Sequence, residues 1–266
     1  MNRLEELFKE KKQSGEKVMN LYVTAGYPTK DTSAELILKL DEAGADIIEL
    51  GMPFSDPLAD GPTIQESSNE ALKQGVDLQY IFDLVKKVRE SSEIPIVLMG
   101  YINPVLSLGV ETFCAKAADC GADGLIIPDV PLEEAQDLKS EAEKAGLTTT
   151  FLVAPNSTDE RMQRIDEASS GFVYCVSVTG VTGARSGEEV QNSVQRFIDR
   201  VTQNVTKNPV LIGFGIKSHS DAIALSEKTD GFIVGSALID FIKNHYPNEN
   251  WLEDTAIFVR HLKHGD

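Results

Sequence analysis

Short apolar runs rich in Val, Ile and Phe recur eight times along this chain, each followed by a helical pattern. They are "VMNLYVTAG" from 18, "DIIELGMP" from 46, "IPIVLMGY" from 94, "GLIIPD" from 124, "TTTFLVAP" from 148, "GFVYCVSV" from 171, "PVLIGFG" from 209 and "GFIVGSAL" from 231. Each is nearly continuous in apolar residues rather than alternating. Strands covered on both faces look like that, as in a parallel sheet. Between them lie amphipathic segments such as "TSAELILKLDEAG" and "DLQYIFDLVKKVRESS", several ending in glycine as helix C-termini do. Eight strands alternating with helices predict an α/β fold, a (β/α)8 TIM barrel. A doubly wound sheet is the rival, but it carries fewer strands and a glycine fingerprint after the first. Here the first run is followed by "TAGYPTKD", with no G-x-G-x-x-G. No linker or charge block divides the chain, so a single domain over residues 1–266 is expected. Extra helices are expected at the N-terminus, after the second strand, and at the C-terminus around Trp251 to Leu262.

The chain is long enough for a full core: of its 266 residues 41% are hydrophobic and 25% charged. Its net charge of -17 argues against a nucleic-acid binder and against docking on an anionic membrane. It also sets a problem: an anionic ligand would need a local device to overcome the overall field. The odd cysteine set, Cys114, Cys120 and Cys175, shows no disulfide pattern and reads as small buried hydrophobes. The N-terminus is charged and amphipathic without the apolar core of a secretory signal. No stretch approaches the roughly 18 apolar residues of a membrane span. Cytoplasm is the expected location.

Barrel enzymes work at the C-terminal ends of their strands, and phosphate sites there commonly use the loops after strands seven and eight plus a helix N-terminus. "GFGIKS" from 213 and "VGSALID" from 234 place small residues at both. Glycine lets backbone N–H groups approach an anion, and a helix N-terminus adds positive partial charge. That device needs no lysine and suits an acidic protein. Tight turns alone would explain either glycine pair, but less well both together. The four histidines, His219, His245, His261 and His264, avoid the strand ends. No zinc spacing and no G-x-S-x-G occur, so no metal site is expected. The acid–base candidates are Glu49, Asp60 and Asp129. Glu49 lies in "IIELG" and should point into the barrel mouth, where desolvation raises its pKa. Asp60 sits in a loop that looks mobile, able to swing over a ligand; a turn-forming "DG" aspartate is an equal reading. Asp129 reads as a loop-bonding residue. "TGVTGARSG" from 179 reads as a lid or a plain surface loop, with Thr182 placed to bond Asp60 on closure.

"IELGMPFSDPLADGPTIQ" resembles the strand-two motif of the tryptophan synthase alpha subunit family. "GYINPV", "IIPDVP", "GVTGAR", "GFGI" and "VGSA" follow in the family's order, so the resemblance covers essentially the whole chain. It implies retro-aldol cleavage of indole-3-glycerol phosphate to indole and glyceraldehyde 3-phosphate, with no cofactor on this chain. By the family's pattern Glu49 is the acid–base group and Asp60 holds the indole N–H. Backbone around Gly183, Phe214, Gly215, Gly235 and Ser236 holds the phosphate. Tyr22, Tyr101 and Tyr174 line the ring pocket or support Glu49. The resemblance also implies a partner, the tryptophan synthase beta subunit carrying pyridoxal phosphate, in an alpha2-beta2 heterotetramer. A sugar-phosphate isomerase shares the strand-seven and strand-eight glycines but gives no reason for the strand-two loop. A non-catalytic activator of a beta subunit gives no reason for intact Glu49 and Asp60.

Overall fold

A computed structural model describes residues 2–176 and 187–265 of the chain. Eight parallel strands close on themselves in sequence order: β1 (Val18–Thr24), β2 (Ile47–Gly51), β3 (Ile96–Met99), β4 (Gly124–Ile126), β5 (Thr148–Val153), β6 (Val173–Val176), β7 (Val210–Gly213) and β8 (Gly231–Val234). The fold is the expected TIM barrel. Helix α1 (Arg3–Ser14) precedes it, and α2 (Ser33–Glu42), α3 (Pro62–Lys73) and α4 (Leu78–Arg89) flank β2. Behind β3 come α5 (Ile102–Leu108) and α6 (Val110–Cys120), and behind β4 a 3-10 turn (Leu132–Glu134) and α7 (Gln136–Lys144). The outer ring continues with α8 (Asp159–Ala168), α9 (Gly187–Asn204), α10 (His219–Ser226), α11 (Ser236–His245) and α12 (Trp251–His264).

Two boundaries differ from the sequence reading. Within "GYINPV" a helix begins that the sequence reading did not draw: Ile102–Leu108 turns helical, and Asp129 accepts its first N–H, from Ile102, at 3.0 Å. That bond gives Asp129 the loop-bonding role expected of it. The apolar run from Gly231 does not stay in one strand; β8 stops at Val234 and the same apolar stretch enters α11 at Ser236.

The register decides which side chains meet. Tyr22 stands opposite Glu49, Glu49 opposite Val97, and Asn20 opposite Ile233. Because successive side chains alternate across a strand, these positions share the inner face. Val18, Ile47, Val97, Ile126, Phe172, Leu211 and Ile233 form the packed interior, with Leu4 and Phe8 of α1 closing its N-terminal end. A second, larger core lies between the outer strand faces and the helices. Helix α1 is fastened as well as packed. Asn2 caps it through Leu4 N–H, while its Nδ2 donates to the carbonyls of Asp123 at 2.8 Å and Gly146 at 3.1 Å. All three cysteines are buried and unpaired, and burial pushes the Cys114 and Cys120 thiols up to about 11.

Candidate active site

A cavity of about 400 Å³ opens at the C-terminal end of the barrel. Its floor carries Glu49. That side chain has no accessible surface, and its one hydrogen bond among the described residues comes from Asn20 Nδ2 to Oε2 at 2.8 Å. Among the described residues Oε1 has no hydrogen-bond partner. Burial, with the charge of Asp60 adding to it, pushes the Glu49 carboxyl up to about 8; the Asn20 bond works the other way. A carboxyl placed so is able to take and give a proton near neutral pH.

Tyr22 and Tyr174 form walls on either side, both lining the cavity. They press on two glycines: a side chain at Gly51 would meet the Tyr22 hydroxyl at 2.1 Å, and one at Gly213 the Tyr174 ring at 2.6 Å. Only glycine admits both rings at this depth. Burial first, then neighbouring carboxylates, raises both phenols far above their ordinary value. They act here as neutral surfaces.

Asp60 also lines the cavity, from the loop between β2 and α3. That loop is fastened rather than loose. Ala59 N–H donates to the Tyr101 hydroxyl at 3.0 Å, Asp60 N–H to the Pro57 carbonyl at 3.1 Å, and Gln65 Nε2 to the Asp60 carbonyl at 2.9 Å. Phe54 stacks on Tyr101 with ring centroids 5.3 Å apart. Tyr101 therefore stands behind Asp60 and holds its loop; it is not on the cavity wall. Burial raises the Asp60 carboxyl, and the Tyr101 hydroxyl opposes that rise.

The far end of the cavity is built from β7, β8 and the helices after them. Gly213, Gly215, Gly235 and Ser236 line it. The two helix starts differ. At α10 the Ser218 hydroxyl and the Asp221 carboxylate cap each other's backbone, so that end is satisfied from within. At α11 the cap is Gly235, with no side-chain bond, and the N–H groups of Leu238 and Ile239 turn back to the Gly235 carbonyl. The N–H groups of Ser236 and Ala237 precede any intrahelical partner and stand at the cavity wall. Backbone donors left in this way at a helix start are able to receive an anion. Lys217 reaches the same wall. Phe214 turns its ring away, onto Phe197 at 5.8 Å. Thr182 and Gly183 lie outside the described residues.

Sequence reasoning missed Asn20, Met99, Thr63, Lys217 and Asp240. Asn20 was findable: it is the polar residue two positions before Tyr22, hence on the same inner face. Met99 was findable in the same way, two positions after inward Val97 on β3; Thr63, Lys217 and Asp240 come from a loop and helix starts, where no strand period marks the inward side.

The family model for the tryptophan synthase alpha chain matches residues 8–265. The tryptophan synthase alpha chain of Thermoanaerobacter sp. (strain X514) is 46% identical over 263 residues, 99% of each chain. The chain belongs to the tryptophan synthase alpha chain family. Another member, from Flavobacterium psychrophilum, is 42% identical over 98% of this chain and 100% of its own. The crystal structure of tryptophan synthase subunit alpha from Legionella pneumophila superposes with a TM-score of 0.89 at 33% identity, covering 99% of this chain and 97% of that one. A crystal structure of tryptophan synthase from M. tuberculosis gives 0.87 at 34% identity, covering 99% and 98%. As a member of the tryptophan synthase alpha chain family the protein is a carbon–carbon lyase of tryptophan biosynthesis, cleaving indole-3-glycerol phosphate. Alpha chain is the name of one component of a multi-chain enzyme. No helix among the described residues is long and apolar enough to cross a membrane.

Proposed function

We propose that Glu49 carries the protons of this cleavage and that the cavity divides the substrate between a ring end and a phosphate end. The observation that carries the reading is Glu49 itself: fully buried, at the cavity floor, with a carboxyl pushed up to about 8. At neutral pH it rests as the acid. It delivers its proton to the ring carbon that bears the glycerol chain, which leaves a carboxylate and a positive ring. That carboxylate takes the proton of the hydroxyl on the carbon attached to the ring. The hydroxyl oxygen becomes the aldehyde oxygen, the carbon–carbon bond breaks, and its electron pair restores the neutral indole. Glu49 ends as it began.

Asp60 accepts the indole N–H and balances the positive charge that develops on the ring. Tyr22 and Tyr174 hold the ring between them, and Tyr101 holds Asp60's loop. The phosphate sits on backbone around Gly183, Phe214, Gly215, Gly235 and Ser236, and Thr182 is a further substrate-binding residue. The free N–H groups at the start of α11 support that placement, since they supply attraction that a net charge of -17 does not. A cavity of about 400 Å³ is in the usual range for a ligand of this size.

The chain works as one domain over residues 1–266, needs no cofactor of its own, and is cytoplasmic. Its partner is the tryptophan synthase beta subunit, which carries pyridoxal phosphate, in an alpha2-beta2 heterotetramer. The deciding experiment is Glu49→Gln, which keeps the shape and removes the proton. Steady-state assays on indole-3-glycerol phosphate should show kcat down by about a thousandfold with KM little changed. Normal turnover by that variant would refute the assignment.

A further inference from the structure

Asn20 interrupts an apolar strand at an inward position, is fully buried, and among the described residues hydrogen-bonds only through Nδ2 to Glu49 Oε2. Its Oδ1 has no hydrogen-bond partner among the described residues. A buried amide that recovers so little of its hydration costs stability, and an apolar side chain of the same shape would cost less. The position therefore asks for a reason beyond packing.

Building on the assignment of Glu49 as proton carrier, we propose that Asn20 is a positioning residue that keeps Glu49 hydrogen-bonded in both of its protonation states. Toward the carboxylate, Nδ2–H donates to Oε2, the arrangement seen. Toward the carboxylic acid, a half-turn of the amide presents Oδ1, which accepts the proton on Oε2. Among the described residues the turn breaks no other bond, because neither end of the amide has a second partner there. A primary amide carries donor and acceptor in one neutral plane, so it serves either state without titrating itself. Holding Oε2 also leaves Oε1 as the oxygen without a hydrogen-bond partner among the described residues.

The titratable group that acts on Glu49 is Asp60 from the β2–α3 loop, and Glu49 in turn acts on the neutral phenols of Tyr22 on β1 and Tyr174 on β6. Lys217 and Asp240 stand further along the cavity wall, and β3 and β8 contribute Met99 and Ile233, which do not titrate. Among the described residues only Asn20 hydrogen-bonds the Glu49 side chain. Its bond to the carboxylate is charge-assisted and stronger than its bond to the neutral acid, so losing both should still drive the carboxyl higher.

The test is Asn20→Leu, assayed on indole-3-glycerol phosphate across pH beside the parent chain and Glu49→Gln. With the resting enzyme protonated at Glu49, the basic limb of kcat/KM follows that group's ionisation. The variant should move this limb up by about one pH unit and lower kcat about tenfold, with KM within about twofold. A fall in kcat with the limb unmoved would reduce Asn20 to a packing residue and overturn the proposal. So would a parental profile. If Asn20→Leu does not fold, Asn20→Val suits the strand and carries the same expectation. An inactive Glu49→Gln beside a parental Asn20→Leu defeats the role of Asn20 alone. A fully active Glu49→Gln defeats the assignment beneath it.

Discussion

Glu49 has lost all its water and regained one hydrogen bond, so ionising it inside the barrel costs more than ionising it in the unfolded chain. That difference is a statement about stability. Unfolded, the carboxyl gives up its proton near 4.5; folded, it keeps it to about 8. Between those values the native state binds the extra proton, so stability falls as pH rises through the window and is level on either side. At pH 7 the loss is on the order of 3 kcal/mol. Glu49→Gln removes the titration. Its melting temperature should therefore match or lag the parent near pH 4.5, overtake it as pH rises, and hold a constant lead above about pH 8. Calorimetry at several pH values checks this, and a lead that does not change with pH would contradict the buried, protonated acid. The same residue shows why part of the site was legible early. An acid between Ile48 and Leu50 stands out because nothing apolar explains it. Asn20 is no less buried, yet a single amide in "VMNLYV" resembles ordinary strand variation until register sets it against Glu49.

Among the elements, the strands were readable because a barrel buries both faces of each, which writes eight apolar runs into the sequence. Helix α5 was not, because its seven residues, "INPVLSL", are too few to show a period and include a proline in the first turn. Helix α11 hid in the apolar run that also contains β8, with Gly235 as the only break. Helix α1 was expected, but its task was not. The barrel interior ends at its N-terminal side on Leu4 and Phe8, the first of which has no exposure. An added carbon at Gly124 would already touch Leu4 at 3.4 Å, so the plug is close-fitting. Leu4→Ala should destabilise the protein by about 2–5 kcal/mol, since the barrel end cannot collapse to fill the gap. Urea unfolding measures the loss. Turnover at 25 °C should stay near the parent value, because the cavity lies at the opposite end; a large fall in kcat without a fall in stability would mean the plug reaches the chemistry.

For the molecule as a whole, the mouth of the barrel raises a question of exposure. Leu58 is 95% exposed on the loop that carries Asp60, and Leu106 is 58% exposed on α5 beside it in the chain of strand ends. Single exposed leucines are commonplace. These two sit on segments made rigid by the Phe54–Tyr101 stack and by Asp129 holding the start of α5. A pair of apolar side chains presented by fastened loops suits a partner that packs there, and the proposed beta subunit is that partner. Leu106→Glu should weaken its binding at least tenfold, since a charge would be buried against an apolar surface. Isothermal titration with a tryptophan synthase beta chain reads the affinity. Indole release by the isolated variant should remain within about twofold of the parent, because Leu106 does not line the cavity. Unchanged affinity would place the partner elsewhere on the barrel. If binding does weaken, the geometry also explains how a partner reaches the chemistry. Leu58 and Asp60 are two residues apart on one short loop, pinned at Ala59 to the Tyr101 hydroxyl. A surface that seats Leu58 must then bear on Asp60, and through its charge on the proton that Glu49 holds.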